Sequence, residues 1–195
     1  LKSEAKTAAE ELLKVKEPMD IINGFIVPAL NEVGKGFEEG KVFLPQLLMS
    51  AAAAQTAFDS VRSFMPEKKG GEDEKIVIAT VYGDIHDIGK NIVRALLENY
   101  GFSVLDLGKN VPKEEILAAV KRSGARLLGL SALMTTTARE MAEAVRFVKE
   151  SVPDIKVVVG GAVITEDYAK KIGADCYAAD AMETVRYAEK ILRNK

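Results

Sequence analysis

The sequence predicts an α/β protein in two parts, an amino-terminal helical bundle followed by a five-stranded parallel sheet flanked by helices. Three observations carry this expectation. Residues 1–66 contain no strand-like run, and their apolar residues recur at helical spacing. Residues 75–195 alternate five short Val/Ile/Leu-rich runs with five amphipathic stretches. Between them PEKKGGEDE joins proline, paired glycines and mixed charge, the composition of a linker, placed at 67–74.

In the first part, Ile21, Ile22, Phe25, Ile26, Ala29, Leu30 and Val33 mark one apolar stripe. Leu47, Leu48, Ala51, Ala54, Phe58 and Val61 mark another. Pro45 suits the first turn of the second helix, where its missing N–H is not needed. Gly34, Gly36 and Gly40 are expected to fray the end of the first, within a bundle of about four helices. In the second part the predicted strands are KIVIATV (75–81), FSVLDLG (102–108), RLLGLSAL (126–133), IKVVVGG (155–161) and ADCYA (174–178). The predicted helices are 89–101, 112–124, 136–151, 165–173 and 181–194. Strict alternation with right-handed crossovers favours a flavodoxin-like or Rossmann-like sheet of order 2-1-3-4-5.

Composition removes several classes of function. A net charge of −2, with no Lys/Arg stripe interleaved with aromatics, speaks against nucleic-acid binding. No apolar run approaches the ~20 residues of a membrane span, and the charged amphipathic start is no secretory signal. Position 1 is Leu, which admits a longer parent chain. The single cysteine excludes a disulfide framework and fits a reducing, cytoplasmic setting. One cysteine and one histidine do not make a structural zinc site, which takes about four such ligands. Cys176 reads as a small buried hydrophobe near a strand.

The lone histidine, His86, falls in GDIHDIGKNIV, the Gly-bracketed turn between the first strand and its helix. Ligands of such sheets bind beyond the carboxyl ends of the strands, where the strand order reverses. Here that edge gathers Gly83, Asp84, Ile85 and His86 after strand 1, Ser131 and Thr135–Thr137 after strand 3, and Gly160–Gly161 after strand 4. The loops after strands 2 and 5 carry no comparable set. Ser131 lacks the G-x-S-x-G setting of a hydrolase nucleophile. A receiver domain would need an acidic pair after strand 1 and an Asp where Ser131 stands. Neither G-x-G-x-x-G nor a P-loop is present. What remains is an imidazole ligating the metal of a cofactor that brings its own equatorial ligands, beside the plainer reading of a histidine merely satisfied within its turn. In the ligating reading, Asp84 is the carboxylate that fixes its tautomer, with a hydroxyl such as Ser131 to hold Asp84.

These residues are recognisable. Asp84-x-His86-x-x-Gly89, Ser131-x-Leu133 and Gly160-Gly161 resemble the cobalamin-binding motif of methionine synthase and related corrinoid proteins. The similarity extends through IATVYGDIHDIGKNIV and GLSALMT. In the first half, VGKGFEEGKVFLPQLLMSA is similar to the helical cap preceding this domain in the same family, so the resemblance covers nearly the whole chain.

The resemblance implies a helical cap at 1–66 and a cobalamin-binding domain at 75–195 whose Gly83-Asp84-Ile85-His86-Asp87-Ile88-Gly89 loop meets the cofactor. His86 is implied as lower axial ligand of cobalt, with Asp84 and Ser131 completing a ligand triad. Ser131, Leu133, Thr135, Gly160 and Gly161 are implied to line the slot for the nucleotide tail. Phe37, Leu44 and Leu47 match the cap positions over the methyl-bearing face, although by pattern alone they read as bundle core. The implied function is a methyl carrier cycling between methyl-Co(III) and Co(I), most like the cobalamin fragment of methionine synthase, with homocysteine as acceptor. The alternative is a stand-alone corrinoid protein of a methanol, methylamine or methoxy-compound methyltransferase system. Either version implies methyl-donor and methyl-acceptor methyltransferase domains or subunits as partners, with a reactivation partner, and no turnover without them. Adenosylcobalamin mutases share the domain but cover cobalt with a barrel, which the FLPQ helix opposes. Cobalamin light sensors add a DNA-binding domain and an aromatic-rich cap, whereas this chain has no Trp and no basic helix-turn-helix pattern.

Overall fold

The computed structural model describes residues 1–65 and 74–193. The chain divides into two units, Leu1–Pro66 and Glu67–Lys195. The linker expected at 67–74 lies, apart from Glu74, outside the described residues.

The first unit is helical. α1 (Lys2–Leu12) packs on α4 (Leu44–Arg62), and α2 (Pro18–Ile21) continues through a π turn (Ile22–Ile26) into α3 (Val27–Glu38). The π turn has a local cause. Pro28 has no N–H for the Gly24 carbonyl, and its ring would collide with that carbonyl in a regular helix. The wider turn shifts the apolar stripe, so Ile21, Ile22 and Ile26 are buried while Phe25 is exposed.

Gly34 and Gly36 do not fray α3, contrary to expectation. The helix runs through both, and Gly40, with φ +71°, ends it. Lys41 N–H donates to Gly36 O at 2.8 Å and Gly40 N–H to Phe37 O at 3.0 Å, the paired bonds of a Schellman close. Gly36 is small for a reason: a Cβ there would stand 2.7 Å from a methyl of Val42. Pro45 occupies the first turn of α4 as expected, and Gln46 Oε1 accepts the Phe43 N–H at 2.8 Å. α4 is buried at its far end, through Ala57, Phe58 and Val61. Its first turns expose Leu44, Leu48 and Met49, so Leu48 is not core.

The second unit is the expected α/β layer structure. β1 (Lys75–Thr80), β2 (Ser103–Asp106), β3 (Leu127–Ser131), β4 (Lys156–Gly160) and β5 (Cys176–Tyr177) form one parallel sheet of order 2-1-3-4-5. α5 (Ile88–Asn99), α6 (Lys113–Ser123), α7 (Thr135–Ser151), α8 (Glu166–Lys171) and α9 (Ala181–Leu192) alternate with the strands. Val77, Ala79, Leu128, Leu130, Val157 and Val159 pack with Ile116, Val120, Met141, Val145 and Val148 on one face. The alternate residues Ile76, Ile78, Leu127 and Val158 are buried on the other, where α5 and α9 lie. Burial on both faces is why the strands read as continuous apolar runs rather than as alternation. Cys176 is half-buried on the edge strand, and burial pushes its thiol pKa up. No helix among the described residues is long and apolar enough to cross a membrane.

One buried ion pair ties α5 to β2. Lys90 Nζ donates to both carboxylate oxygens of Asp106 at 2.7 Å, with the two side chains 3% and 10% exposed. Asp106 also accepts the Gly108 N–H at 2.8 Å. Removing one member of such a pair strands the other charge away from water. Asp106→Ala is therefore expected to destabilise the protein by about 3 kcal/mol. The urea midpoint of the purified variant measures this.

Candidate functional site

The reversal of strand order lies between β1 and β3, whose carboxyl ends sit in register at Thr80 and Ser131, with Gly160 of β4 opposite Ser131. Beyond β1 the chain makes a tight turn. Asp84 N–H donates to Val81 O at 3.1 Å, and Gly83 takes the left-handed third position, φ +79°. This turn drops Asp84 inward, to 0% exposure, and leaves the His86 side chain 45% exposed.

Asp84 accepts four hydrogen bonds. Oδ1 takes the His86 backbone N–H at 3.0 Å and faces His86 Nδ1 at 2.9 Å. Oδ2 takes the Leu133 N–H and the Thr137 hydroxyl, both at 2.7 Å. The Met134 carbonyl, 2.9 Å from the same hydroxyl, competes for its single proton. Burial by itself raises the carboxyl pKa. The hydrogen bonds from His86 N–H, Leu133 N–H, Thr137 and the imidazole outweigh it and hold the value at about 2. Asp84 is thus an anion that only accepts, so the neutral imidazole carries its proton on Nδ1. The lone pair is then on Nε2, for which no hydrogen-bond partner occurs among the described residues. Thr80 Oγ1 steadies the same loop from below, 3.4 Å from the His86 carbonyl.

The glycine pair has a role the sequence did not disclose. A Cβ on Gly161, whose φ is +134°, would fall 1.8 Å from the Ala132 carbonyl oxygen, and one on Gly160 would fall 3.1 Å from that of Ala178. The immediate reason for glycine at 161 is the backbone after β3. That backbone carries the Leu133 N–H to Asp84.

The expected residues are only partly gathered. Gly83, Asp84, His86 and Leu133 converge, and Gly160–Gly161 border them through Ala132. Ile85 is exposed, Asp87 precedes α5 without a side-chain cap bond, and Ile88 and Gly89 form the first turn of α5. Thr135 is exposed at the start of α7. Ser131 does not hold Asp84: among the described residues no hydrogen bond joins them, and the hydroxyl that does so is Thr137's. The reason is depth. Ser131 ends a strand, whereas Thr137 lies in the first turn of α7 at the head of the buried stripe Thr137, Met141, Ala144, Val145 and Val148. The loop after β2 is not silent either, because Asn110 Oδ1 accepts the Gly83 N–H at 2.8 Å. Phe37, Leu44 and Leu47 belong to the helical unit, where the first two are exposed and the third half-buried, so Phe37 and Leu44 are not bundle core.

Among the described residues no group of three or more His, Cys, Asp or Glu is placed to hold a bare metal ion. A single oriented imidazole fits a metal that arrives already ligated. Fold and site together define a flavodoxin-like domain with one oriented histidine at its strand-order reversal.

Residues 74–186 match the family model for a B12 binding domain, and residues 2–62 match a second B12 binding domain model. The chain belongs to the B12-binding family, and its cofactor is cobalamin. It is 42% identical over 193 residues to Dimethylamine corrinoid protein 1 of Methanosarcina mazei, covering 96% of this chain and 88% of that relative. The structure of the Methanosarcina barkeri monomethylamine corrinoid protein matches with a TM-score of 0.84 at 32% identity, over 93% of this chain and 87% of that one. The methanol:cobalamin methyltransferase complex of Methanosarcina barkeri matches with a TM-score of 0.60 at 32% identity, over 98% and 76% of the respective chains.

The depressed pKa of Asp84 has a signed consequence. In the unfolded chain the carboxyl titrates near 4, in the fold at about 2, so the fold favours the anion. Its contribution, about 2 kcal/mol, is present above pH ~4 and is lost as pH falls towards ~2. Asp84→Asn has no charge to lose. The stability gap between the apoprotein and this variant, from urea titrations, is expected to narrow across that window and stay level above it.

Proposed function

We propose that the protein is a methyl carrier of a methylamine methyltransferase system, with cobalamin held through His86. One observation carries the reading: the chain's only imidazole is tied at Nδ1 to a buried, ionised Asp84, which leaves Nε2 to a metal. The relatives favour the stand-alone corrinoid version over a methionine synthase fragment. Dimethylamine corrinoid protein 1 has a chain only slightly longer than this one, judged by the 88% of it that is covered.

When bound, cobalamin supplies the cobalt centre on which a methyl group is carried from donor to acceptor. The protein's part is to bind, orient and shield. Asp84 fixes the imidazole tautomer and ring direction. The Leu133 N–H and Thr137 hydroxyl prevent Asp84 from turning away. His86 would hold the cobalt through Nε2, and Leu133, Thr135 and the backbone at Ser131 and Gly160–Gly161 would border the cofactor's nucleotide tail. Phe37, Leu44 and Leu47 supply the water-excluding surface that the resemblance assigns to the helical unit. Donor and acceptor are presented by partner methyltransferase subunits, the donor side being specific for a methylated amine.

The test begins with apoprotein loaded with hydroxocobalamin and reduced to the cob(II)alamin state. Nitrogen hyperfine splitting from a protein imidazole is expected in its EPR spectrum. His86→Ala is expected to lose the splitting while keeping most of the corrinoid; splitting that persists there refutes the assignment. Reduced holoprotein offered separately to dimethylamine-, trimethylamine- and methanol-specific methyltransferases should be methylated at least tenfold faster from an amine. Faster loading from methanol would move the protein to the other branch of the stand-alone class.

A further inference from the structure

The connection between β2 and α6, which the sequence left without a role, runs along the end of β1 like an added strand. Leu107 N–H donates to Ile78 O at 2.9 Å, Thr80 N–H to Gly108 O at 2.9 Å, and Val111 N–H to Thr80 O at 3.1 Å. Val81 and Val111 then form an isolated parallel bridge. Asn110 stands where this ladder meets the histidine loop, and it grips that loop twice. Its backbone N–H donates to the Asp84 carbonyl at 2.9 Å, and its side-chain Oδ1 accepts the Gly83 N–H at 2.8 Å. Asn110 does so in a left-handed conformation, φ 57°, the only non-glycine residue with positive φ among those described. Asparagine is one of the few residues that tolerate this region. Local strain of this kind persists where surrounding contacts enforce it.

The far end of the same loop is tied to the same strand. Asp106, which ends β2, grips Lys90 in the first turn of α5, just past Asp87. The segment 83–90 is therefore fastened near both ends to β2 and its connection, independently of the bonds that Asp84 makes to β3 and α7.

We propose that Asn110 is a positioning residue of the cobalt-ligating loop: it clamps Gly83 and Asp84 to the β2–α6 connection and thereby sets where the His86 imidazole is presented. The inference rests on the proposed role of His86, and its test separates the two. Asn110→Gly removes Oδ1 but accepts the left-handed backbone freely, so it is expected to fold. Asn110→Asp keeps an acceptor at the same place and tolerates the same conformation.

In the full-length apoprotein, hydrogen exchange of the Gly83 amide is expected to be about fivefold faster in Asn110→Gly, the size of one lost hydrogen bond, and close to wild type in Asn110→Asp. In the cobalamin-loaded, reduced proteins, the ratio of cob(II)alamin with imidazole nitrogen splitting to that without is expected to fall about fivefold in Asn110→Gly and to recover in Asn110→Asp. Unchanged exchange and an unchanged ratio in Asn110→Gly would overturn the clamp. So would a lowered melting temperature with both signals unmoved, which marks a purely structural residue. Absence of nitrogen splitting in the wild type would instead overturn the His86 reading, and the Gly83 exchange rates would then decide the clamp alone.

Discussion

A negative charge sealed from water at Asp84 is the constraint to which the rest of the site answers. An ionised carboxylate left without partners in such a place would cost several kcal/mol, and it would take up a proton instead. Four donors prevent this, and they come from three separate segments: the Asp84 loop itself, the backbone after β3, and the first turn of α7. The charge is stable only while all three are in place. Its satisfaction and the direction of the imidazole are therefore one condition, because one of the four donors is the imidazole.

The same logic explains why residues remote from any metal-bearing group are restricted. Leu133 reaches Asp84 through its backbone N–H, so this bond restricts its main-chain position and not its side chain. That position follows from Ala132, whose carbonyl occupies the space a Cβ at Gly161 would need. A side chain at 161 would push the β3 connection away from β4 and draw a donor off the buried anion. A glycine after β4 thus acts on a histidine after β1 through two peptide units of a third strand's loop. The sheet makes this economy possible, since β1, β3 and β4 end side by side in register.

How much of this was legible in the sequence follows from which forces write themselves into residue type. The strand order and helix alternation were legible because burial on both faces demands unbroken Val, Ile and Leu. The Asp84–His86 pair was legible because a lone histidine in a glycine-bracketed turn has little packing purpose. Ser131 and Thr137 could not be ranked so simply. Both are hydroxyls near one strand end, and what separates them is depth. The periodicity Thr137, Met141, Val145, Val148 carried that signal, but only once the start of α7 was known. Asn110 left almost no trace, since its bonds are to backbone groups that every sequence possesses. The end of α3 was misjudged for a related reason. Helix propensity alone says that Gly34 and Gly36 weaken a helix, while the close approach of Val42 to Gly36 is a tertiary fact.

The division of labour between the loop and its clamps bears on what binding costs. A ligand that must order its own site spends interaction energy on ordering, and a site already ordered does not. Here folding itself fixes the loop, through the anion, the Lys90–Asp106 pair and the strained Asn110. The strain at Asn110 is a charge on the stability of the fold, not on the affinity for the cofactor. His86 is the exception: its ring is held at one nitrogen while its side chain stays 45% exposed, so in the proposed role only the contact to cobalt is left to be made. A histidine buried and satisfied at both nitrogens would be better for stability and useless as a ligand. In the proposed role, the exposure of the His86 side chain beside a deeply buried anion is the compromise between a rigid scaffold and a side chain left free to bind a metal.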